Sequence, residues 1–276
     1  MTTGRNDDEV VAGWSRGVSG TVVHSDRIRH VEHVWGTAIT INISVNKSGE
    51  GAALEAIDEC VRFFAMVEET FSTYKPHTEV SLYRNSLRRP GQQSPAFNEV
   101  MAACVDLRTR SKGAFDPWSV PGGYEPAGYV KGWAAGRASE ILRDGGFPNN
   151  LVNAGGDVCA HGNEVPGSGA GWPVGIVNPY SKKEIIEVVT LHGMSMATSG
   201  RYERGDHVID PATGAPTTRV DSATVIGPDC GSADALASAA MVDGQASMVW
   251  FVELGSEWSL HLVVGGEVRT YGAAFG

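Results

Sequence analysis

The spacing of apolar side chains changes along the chain, and each change predicts a different element. Residues 37–45, TAITINISV, alternate β-branched with small or polar residues, which is the period of a strand with one buried face. Over residues 50–71 apolar side chains instead recur every three or four positions, which predicts an amphipathic helix. Two further helices are predicted, one from an N-cap at Asn98 to a stop at Gly113 and one over roughly 128–144.

The second half of the chain is richer in short apolar runs divided by glycine, proline and asparagine, as strands joined by turns are. These runs are LVNAGGDVCAHG, PVGIVNP, IIEVVTL, HVID and SATVIG. Helical stretches follow over 232–243 and about 245–254, and a final hairpin is predicted to turn at Gly265-Gly266. The order of elements predicts an α+β fold with mostly antiparallel strands and packed helices.

Composition narrows the class of protein. The 276 residues carry 22 Lys+Arg against 32 Asp+Glu, a net charge of −10, so the chain lacks the basic character that nucleic acid or an anionic membrane rewards. No uninterrupted apolar run approaches the ~18 residues of a membrane span, and an acidic N-terminus is unlike a secretory signal. We therefore expect a cytoplasmic protein with no nucleic-acid partner and no membrane insertion. The four separated cysteines are expected to be buried free thiols.

No linker divides the chain, so we expect one domain over residues 21–276. Residues 1–20 are expected to form a flexible tail, because so polar a segment cannot bury enough surface to become ordered.

One candidate site is the helix start AGYVKGWAAGRA. Glycines at 128, 132 and 136 leave one side of this helix without Cβ atoms, so that backbone can approach a ligand closely. The helix N-terminus favours negative charge, and Lys131 in its first turns makes sense beside a phosphate or an acid. Close packing of the helix on its neighbours is the alternative explanation for the glycines.

A second candidate is SADALASAA, where Asp234 and Ser238 lie four residues apart and so project from one helical face. A carboxylate and a hydroxyl are hard oxygen ligands suited to Mg²⁺. The alternative is an aspartate in the first turn that complements the helix dipole, with a serine bonded to a backbone carbonyl.

A third candidate is HVIDPATG, in which His207 precedes Asp210 and a tight turn. A lone histidine at a strand end is usually structural, whereas one beside a metal pair and an anion site can act as a general base.

Three other segments carry polar side chains beyond what packing needs. They are FSTYKPHTEVS with the aromatic Tyr74, GAFDP with the restricted Asp116, and the glycine pair before Asp157, which a β-bulge would also explain.

The order of these motifs resembles the FAD:protein FMN transferase (ApbE-like) family. The matching segments are WGTAITI, FSTYKPHTEVS, GAFDP, AGYVKGWA, LVNAGGD, MATSGRYER, HVIDPATGAP and ADALASA, over roughly residues 31–254. The resemblance implies a single ApbE-like unit built from a duplicated T-fold-like arrangement of antiparallel or mixed sheets. It also implies an Mg²⁺-dependent transferase that moves FMN from FAD to a Thr or Ser hydroxyl of an acceptor protein and releases AMP.

The resemblance further implies roles for individual residues. It assigns the catalytic base to His207 and the metal ligands to Asp234, Ser238 and the backbone carbonyl of Gly128. It assigns FAD contacts to Trp35, Tyr74, Ala114, Phe115, Asp116, Glu125, Lys131 and Thr217.

The chain departs from the usual family pattern at several of these positions. Ser238 stands where threonine is commoner and lacks the methyl group that restrains its rotamer. Glu125 replaces a usual aspartate, Trp35 replaces methionine, and the loop over 117–127 is short. Three alternatives remain at this point: a metal-dependent FAD pyrophosphatase yielding FMN and AMP, a non-catalytic FAD-binding protein, and a catalytically inactive scaffold with a shortened loop.

Overall fold

The computed structural model describes residues 19–45, 47–87, 91–204 and 208–275. The expected N-terminal tail therefore lies almost wholly outside the described residues, although the first strand already begins at Gly20. The helices are α1 Glu50–Phe71, α2 Glu79–Arg84, α3 Pro95–Arg110, α4 Ala127–Asp144, α5 Arg201–Arg204, α6 Cys230–Asp243 and α7 Ser247–Leu254. The strands are β1 Gly20–Val23, β2 Arg27–Val34, β3 Thr37–Ser44, β4 Asn150–Ala154, β5 Asp157–His161, β6 Trp172–Asn178, β7 Ser181–Leu191, β8 Ser195–Gly200, β9 Ser222–Gly227, β10 Ser259–Val264 and β11 Glu267–Tyr271.

Nine of the described strands form one antiparallel sheet in the order β1-β2-β3-β4-β5-β8-β9-β10-β11, and β6 and β7 form a separate hairpin. The order almost follows the chain, so each strand lies beside its neighbour in sequence apart from the β6–β7 excursion. The longer helices lie between β3 and β4 and between β9 and β10, and the one-turn helix α5 lies between β8 and β9. Each half of the sheet therefore repeats one pattern of strands, helices and strands, which agrees with the predicted α+β fold built from antiparallel sheets.

The helices cover one face of this sheet. Isoleucines of β3 pack against α1 and α4, while alanines and valines of β8 and β9 pack against α6. The predicted period of α1 is confirmed, because its buried side chains Ile57, Cys60, Phe64, Val67 and Phe71 recur at three and four residues. The other face of the sheet is covered by the β6–β7 hairpin through Trp172, Ile176, Val189 and Leu191.

Local predictions were confirmed where a period or turn was strong and were wrong where it was weak. The predicted N-cap at Asn98 is wrong: α3 begins at Pro95, and the side chain of Ser94 accepts a hydrogen bond from the Phe97 N–H. Pro95 fits the first turn because its missing N–H needs no partner there. The segment HVID is not a strand in its described part, where Ile209 forms only an isolated bridge with Pro216. The strands β1, β2 and β8 and the helix α2 were not predicted.

The segment Cys230–Leu254 is long and apolar enough, by length and composition alone, to cross a membrane. Its apolar residues do not form an uninterrupted run, because serines, two aspartates, a glutamine and a glutamate divide them. Most of this segment is buried inside the protein, as the core helix of a folded domain is. All four cysteines are free and buried, which confirms that prediction.

Candidate active site

The site is built where α4 crosses α6. A Cβ placed on Gly132 would overlap the carbonyl group of Cys230, and one placed on Gly231 would lie 2.7 Å from the ring of Tyr129. Glycine at these two positions therefore permits a close approach of the two helix backbones. The expectation that Gly132 and Gly136 would face a ligand is wrong, because both pack toward Cys230.

Lys131 of α4 lies between two buried aspartates. Its Nζ donates to Oδ2 of Asp157 at 2.5 Å and lies 3.4 Å from Oδ2 of Asp234. The side chains of Asp157 and Asp234 are 1% and 5% exposed, so neither carboxylate is screened well by water. Lys131 is an unusual residue near a helix N-terminus, and its ion pairs with Asp157 of β5 and Asp234 of α6 explain its presence there.

Burial raises the pKa of the Asp234 carboxyl well above its ordinary value, and the nearby Asp157 carboxylate raises it further. The Lys131 ammonium and the Gly132 N–H oppose this shift by stabilising the ionised form. The alternative explanation for Asp234 is wrong in one respect, because α6 begins at Cys230 with Asp229 as its N-cap and has no acid in its first turn. Asp234 therefore lies too far along α6 to interact with its dipole in that way.

Ser238 lies one turn after Asp234 and faces the start of α4. Its Oγ is 3.0 Å from Oγ of Ser199 on β8 and 3.7 Å from the position of a Cβ on Gly128. Its partner is thus a side-chain hydroxyl and not the backbone carbonyl of the alternative explanation. A Cβ on Gly128 would also lie 3.4 Å from the ring of Phe115. The structure places Ser238 beside Gly128, and Asp234 lies one turn earlier than Ser238 on α6.

The oxygen atoms gathered here suit a hard divalent cation. Asp234 contributes a carboxylate that burial makes costly to ionise, and a bound cation would reverse that cost. Magnesium commonly takes few protein ligands and fills its remaining positions with water or phosphate oxygens, so one carboxylate, one hydroxyl and one carbonyl form a fitting set. Within the described residues, no group of three or more His, Cys, Asp or Glu side chains could hold a metal ion by itself.

A second polar group lies immediately before α4. Oε1 of Glu125 accepts from the Thr73 hydroxyl at 3.2 Å, and Oε2 lies 3.3 Å from Nη1 of Arg84. Tyr74, next to Thr73, has a side chain that is 97% exposed. Pro126 is the N-cap of α4 and makes no side-chain capping bond, so the first N–H groups of α4 have no N-cap side chain as partner. Glu125 and Gly128 thus lie at the same end of α4.

Two hairpin turns of the large sheet, one between β2 and β3 and one between β4 and β5, contain candidate residues. Trp35 and Gly36 join β2 to β3 with φ of 57° and 72°, and Nε1 of Trp35 donates to the Phe64 carbonyl at 3.3 Å. Gly155 and Gly156 join β4 to β5, so the β-bulge interpretation is wrong and the pair is a turn. A Cβ on Gly155 would lie 2.6 Å from Oγ1 of Thr37, so the β4–β5 turn contacts the first residue of β3, directly after the Trp35-Gly36 turn.

The remaining sequence candidates have structural partners of their own. Ala114 and Phe115 are buried in the core, and Asp116 pairs with Nε of Arg108 at 2.8 Å. Thr217 is buried, and its hydroxyl donates to the Met241 carbonyl at 3.1 Å, near the C-terminal end of α6. The described structure therefore places Thr217 beside α6 but away from its Asp234 end, seven residues earlier in the helix.

His207 lies outside the described residues, which resume at Val208. The turn after it is described: Oδ1 of Asp210 accepts from the Ala212 N–H at 2.9 Å, and Oδ2 lies 3.4 Å from Nη2 of Arg219. Asp210 is thus a turn-forming residue with its carboxylate already engaged.

Sequence reasoning did not assign Asp157 or Ser199 to the site. In the sequence, Asp157 follows the glycine pair of LVNAGGDVCAHG, and Ser199 lies in the family segment MATSGRYER. A charged residue at the first position of a buried strand is the signal that could have identified Asp157, since buried acids are normally paired. Ser199 carries no comparable signal in the sequence.

Comparison with known proteins places this geometry in a family. The sequence model of the ApbE family matches residues 35–121 and 125–260. The FAD:protein FMN transferase of Vibrio cholerae serotype O1 is 33% identical over 126 residues, which are 42% of this chain and 37% of that protein. The enzyme of the same name from Escherichia coli K12 is 35% identical over 124 residues, 41% of this chain and 35% of that protein. The matched segment thus spans little more than a third of the length of these curated relatives.

Solved structures agree over a greater length. The flavin transferase ApbE from Vibrio cholerae superposes with a TM-score of 0.76 at 19% identity, covering 91% of this chain and 99% of that chain. The ApbE protein from Thermotoga maritima gives a TM-score of 0.76 at 23% identity, covering 90% and 98%. At these identities the likeness shows the fold. With the family match over both halves of the sheet, it follows that this chain belongs to the ApbE family.

Proposed function

We propose that this chain is an FAD:protein FMN transferase, which moves FMN from FAD to a Thr or Ser hydroxyl of an acceptor protein and releases AMP. The curated relatives from Vibrio cholerae and Escherichia coli carry this name. The observation that carries the proposal is the meeting of Lys131, Asp157, Asp234 and Ser238 beside the start of α4. These residues come from distant parts of the chain, and packing alone does not require such a set of buried charges.

The pyrophosphate of FAD is proposed to lie against the N-terminus of α4. Uncapped N–H groups there favour an anion, and Lys131 adds a positive charge one turn further along. Mg²⁺ would be held by Asp234, Ser238 and the Gly128 carbonyl, and would supply neutralisation of the negative charge that develops on the phosphate oxygens.

The rest of FAD would lie along the neighbouring turns. The exposed ring of Tyr74 offers an apolar surface for a flat heterocycle, and Glu125 lies next to it. Trp35 lies on the turn directly before Thr37, and Thr37 contacts Gly155 of the turn that precedes Asp157. The loop containing Ala114, Phe115 and Asp116 packs against Gly128 through the Phe115 ring. Thr217 remains a proposed contact, although it lies near the C-terminal end of α6.

His207 is the proposed general base. In the transfer step the acceptor hydroxyl oxygen forms a bond to the FMN phosphorus, while the bond from that phosphorus to the bridging oxygen breaks and AMP leaves with the electron pair. The hydroxyl proton passes to the imidazole of His207. The site would favour an in-line attack because Lys131 and the α4 N-terminus fix the phosphates.

The test is to incubate the purified protein with FAD, Mg²⁺ and a Thr-containing acceptor peptide, and to analyse the products by mass spectrometry. A flavinylated peptide together with AMP is the expected result. Free FMN with AMP would instead indicate a pyrophosphatase, and unchanged FAD would indicate a binding protein. A peptide with valine in place of the threonine is the matched control, because it keeps the shape and lacks the attacking oxygen.

A further inference from the structure

The ammonium group of Lys131 is shared unequally between its two acids. It lies at 2.5 Å from Oδ2 of Asp157 and at 3.4 Å from Oδ2 of Asp234. The contact with Asp157 is the closer of the two hydrogen bonds, and the contact with Asp234 is longer and therefore weaker. The side chain of Lys131 is 27% exposed, so its end can reach a ligand at the surface of the site while its partners remain buried.

Asp157 is held more rigidly than the lysine it binds. It is the first residue of β5 and directly follows the turn Gly155-Gly156, whose φ angles are 65° and 108°. The Gly156 N–H donates to Oδ1 of Asn153 at 2.8 Å, and Thr37 packs against Gly155. A short side chain on such a turn has few alternative positions, whereas lysine has a long flexible stem.

We propose that Asp157 is a positioning residue for Lys131, which holds the ammonium group beside Asp234 and directs it toward a bound diphosphate. The inference rests on the proposed function and adds to it a residue that binds neither FAD nor the metal. Without Asp157, the carboxylate of Asp234 at 3.4 Å would still attract Lys131 and could draw the ammonium toward α6. The lysine would then leave the phosphates, and Asp234 would carry a competing cation.

The direction in which FAD affinity changes when Asp157 is replaced separates a positioning role from a simple charge effect. Removing a negative charge close to a diphosphate site strengthens anion binding if only Coulomb forces act. Loss of a positioning residue weakens it, because Lys131 moves away from the phosphates. FAD affinity without metal therefore distinguishes the two roles.

The experiment measures FAD binding in EDTA, by flavin fluorescence, for Asp157→Asn, Lys131→Met and the double variant. We expect the dissociation constant to rise about tenfold in Asp157→Asn and about tenfold in Lys131→Met, the usual size for a lost charge-assisted bond. The double variant should bind FAD no more weakly than Lys131→Met alone, because Asp157 acts through Lys131. The control is Asp229→Asn, which removes the same charge at the exposed N-cap of α6 and should not weaken binding.

Asp157→Glu is the second variant and keeps the charge, so it carries the test if Asp157→Asn does not fold. Moving the carboxylate by one methylene should also weaken FAD binding. Wild-type or tighter affinity in either Asp157 variant would overturn the proposal, as would losses that add in the double variant. If the wild-type protein binds FAD with Mg²⁺ but not in EDTA, this inference fails and the proposed function stands. If it binds no FAD even with Mg²⁺, both fail. If the wild-type protein binds FAD and the Asp157 variants bind it equally well, only this inference fails and the proposed function stands.

Discussion

The hydroxyl of Ser199 on β8 lies 3.0 Å from the hydroxyl of Ser238 on α6. This hydrogen bond connects β8 to α6 at Ser238, the side chain that is proposed to bind the metal. Ser238 lacks the methyl group that would restrain a threonine, and the bond to Ser199 supplies a restraint from outside the helix. A neighbouring strand thus compensates for the departure from the usual threonine.

Ser199→Ala should therefore weaken the binding of Mg²⁺ at Ser238. We expect the Mg²⁺ concentration for half-maximal activity to rise about threefold to tenfold, since one neutral hydrogen bond is lost. Adding Ser238→Thr should restore most of the loss, because the methyl group restrains the rotamer again. Ser222→Ala is the control: this buried serine on β9 has no hydrogen-bond partner for its hydroxyl within the described part of the chain. Equal effects of Ser199→Ala and Ser222→Ala would contradict the restraint.

Gly132 should be the critical glycine of α4. Its Cβ would overlap the Cys230 carbonyl, so Gly132→Ala must push α4 and α6 apart and should lower the free energy of unfolding by about 1–3 kcal/mol. At Gly136 the nearest atom to a new Cβ is 3.9 Å away, so Gly136→Ala should be neutral or stabilising by about 1 kcal/mol through helix propensity. Urea unfolding of both variants tests this, and a tolerated Gly132→Ala would refute the close crossing.

Asp234→Asn should stabilise the metal-free protein near neutral pH. The pKa of Asp234 is raised in the folded state, so the unfolded state loses the proton more readily. The contribution of this carboxyl to stability is present below its ordinary pKa and is lost as pH rises through the folded value. An amide avoids that loss, and we expect the free energy of unfolding measured by urea titration to rise.

The same variant tests the metal site. Mg²⁺ should raise the melting temperature of the wild-type protein and leave that of Asp234→Asn unchanged, because a ligand stabilises only the state that binds it. Differential scanning fluorimetry with and without Mg²⁺ gives both results. A Mg²⁺-dependent shift that persists in Asp234→Asn would show that the cation binds elsewhere.

His261 should make the fold sensitive to mild acid. Burial lowers the pKa of His261 below its ordinary value of 6.5, against the opposing effect of Glu187. The unfolded state therefore binds the proton more readily, and stability is lost as pH falls from about 6.5 toward the folded value. The slope is at most about 1.4 kcal/mol per pH unit for one histidine. Burial also lowers the pKa of His30 and His161, and these histidines add to the slope.

The test compares His261→Gln with His33→Gln, which alters an exposed histidine on β2. Urea unfolding at about pH 7.5 and pH 5.5 should show a smaller acid loss in His261→Gln than in the wild-type protein, because one buried histidine no longer has to stay neutral. His33→Gln should behave like the wild-type protein. An unchanged acid loss in His261→Gln would contradict the assignment.

His207→Ala should abolish FMN transfer and leave FAD bound. The imidazole is proposed to accept a proton, which affects the chemical step and not the ground-state contacts. Product formation should fall by about 10²–10⁴-fold while the dissociation constant for FAD stays within about twofold. His24→Ala, in an exposed turn, is the control. Transfer at the parental rate in His207→Ala would rule out the role.

Much of the fold was predictable from local pattern. The helix over residues 50–71 and the hairpin turn at Gly265-Gly266 occur where the sequence predicts them, because side-chain period and glycine conformation act within a few residues. Strand β8, SMATSG, has no such signal. Its small side chains are buried only because β5, β9 and α6 surround them.

The candidate site also contains residues that the local sequence predicts and contacts that it does not. Asp234 and Ser238 share one face of α6 by helix geometry alone, and Lys131 near the start of α4 was a visible exception to charge preference. The partner of Lys131 could not be read from the sequence. Gly155-Gly156-Asp157 fits a bulge as well as a turn, and only the pairing of β4 with β5 decides between them.

The sequence by itself determined the local elements, the helical pairing of its polar side chains and the family resemblance, because each depends on residues close in the chain or on ordered motifs. The tertiary structure alone decided that Lys131 meets Asp157 and Asp234, which lie 26 and 103 positions away. The physical reason is that these contacts depend on strand order and on the close crossing that Gly132 permits. Neither leaves a periodic trace in the amino-acid sequence.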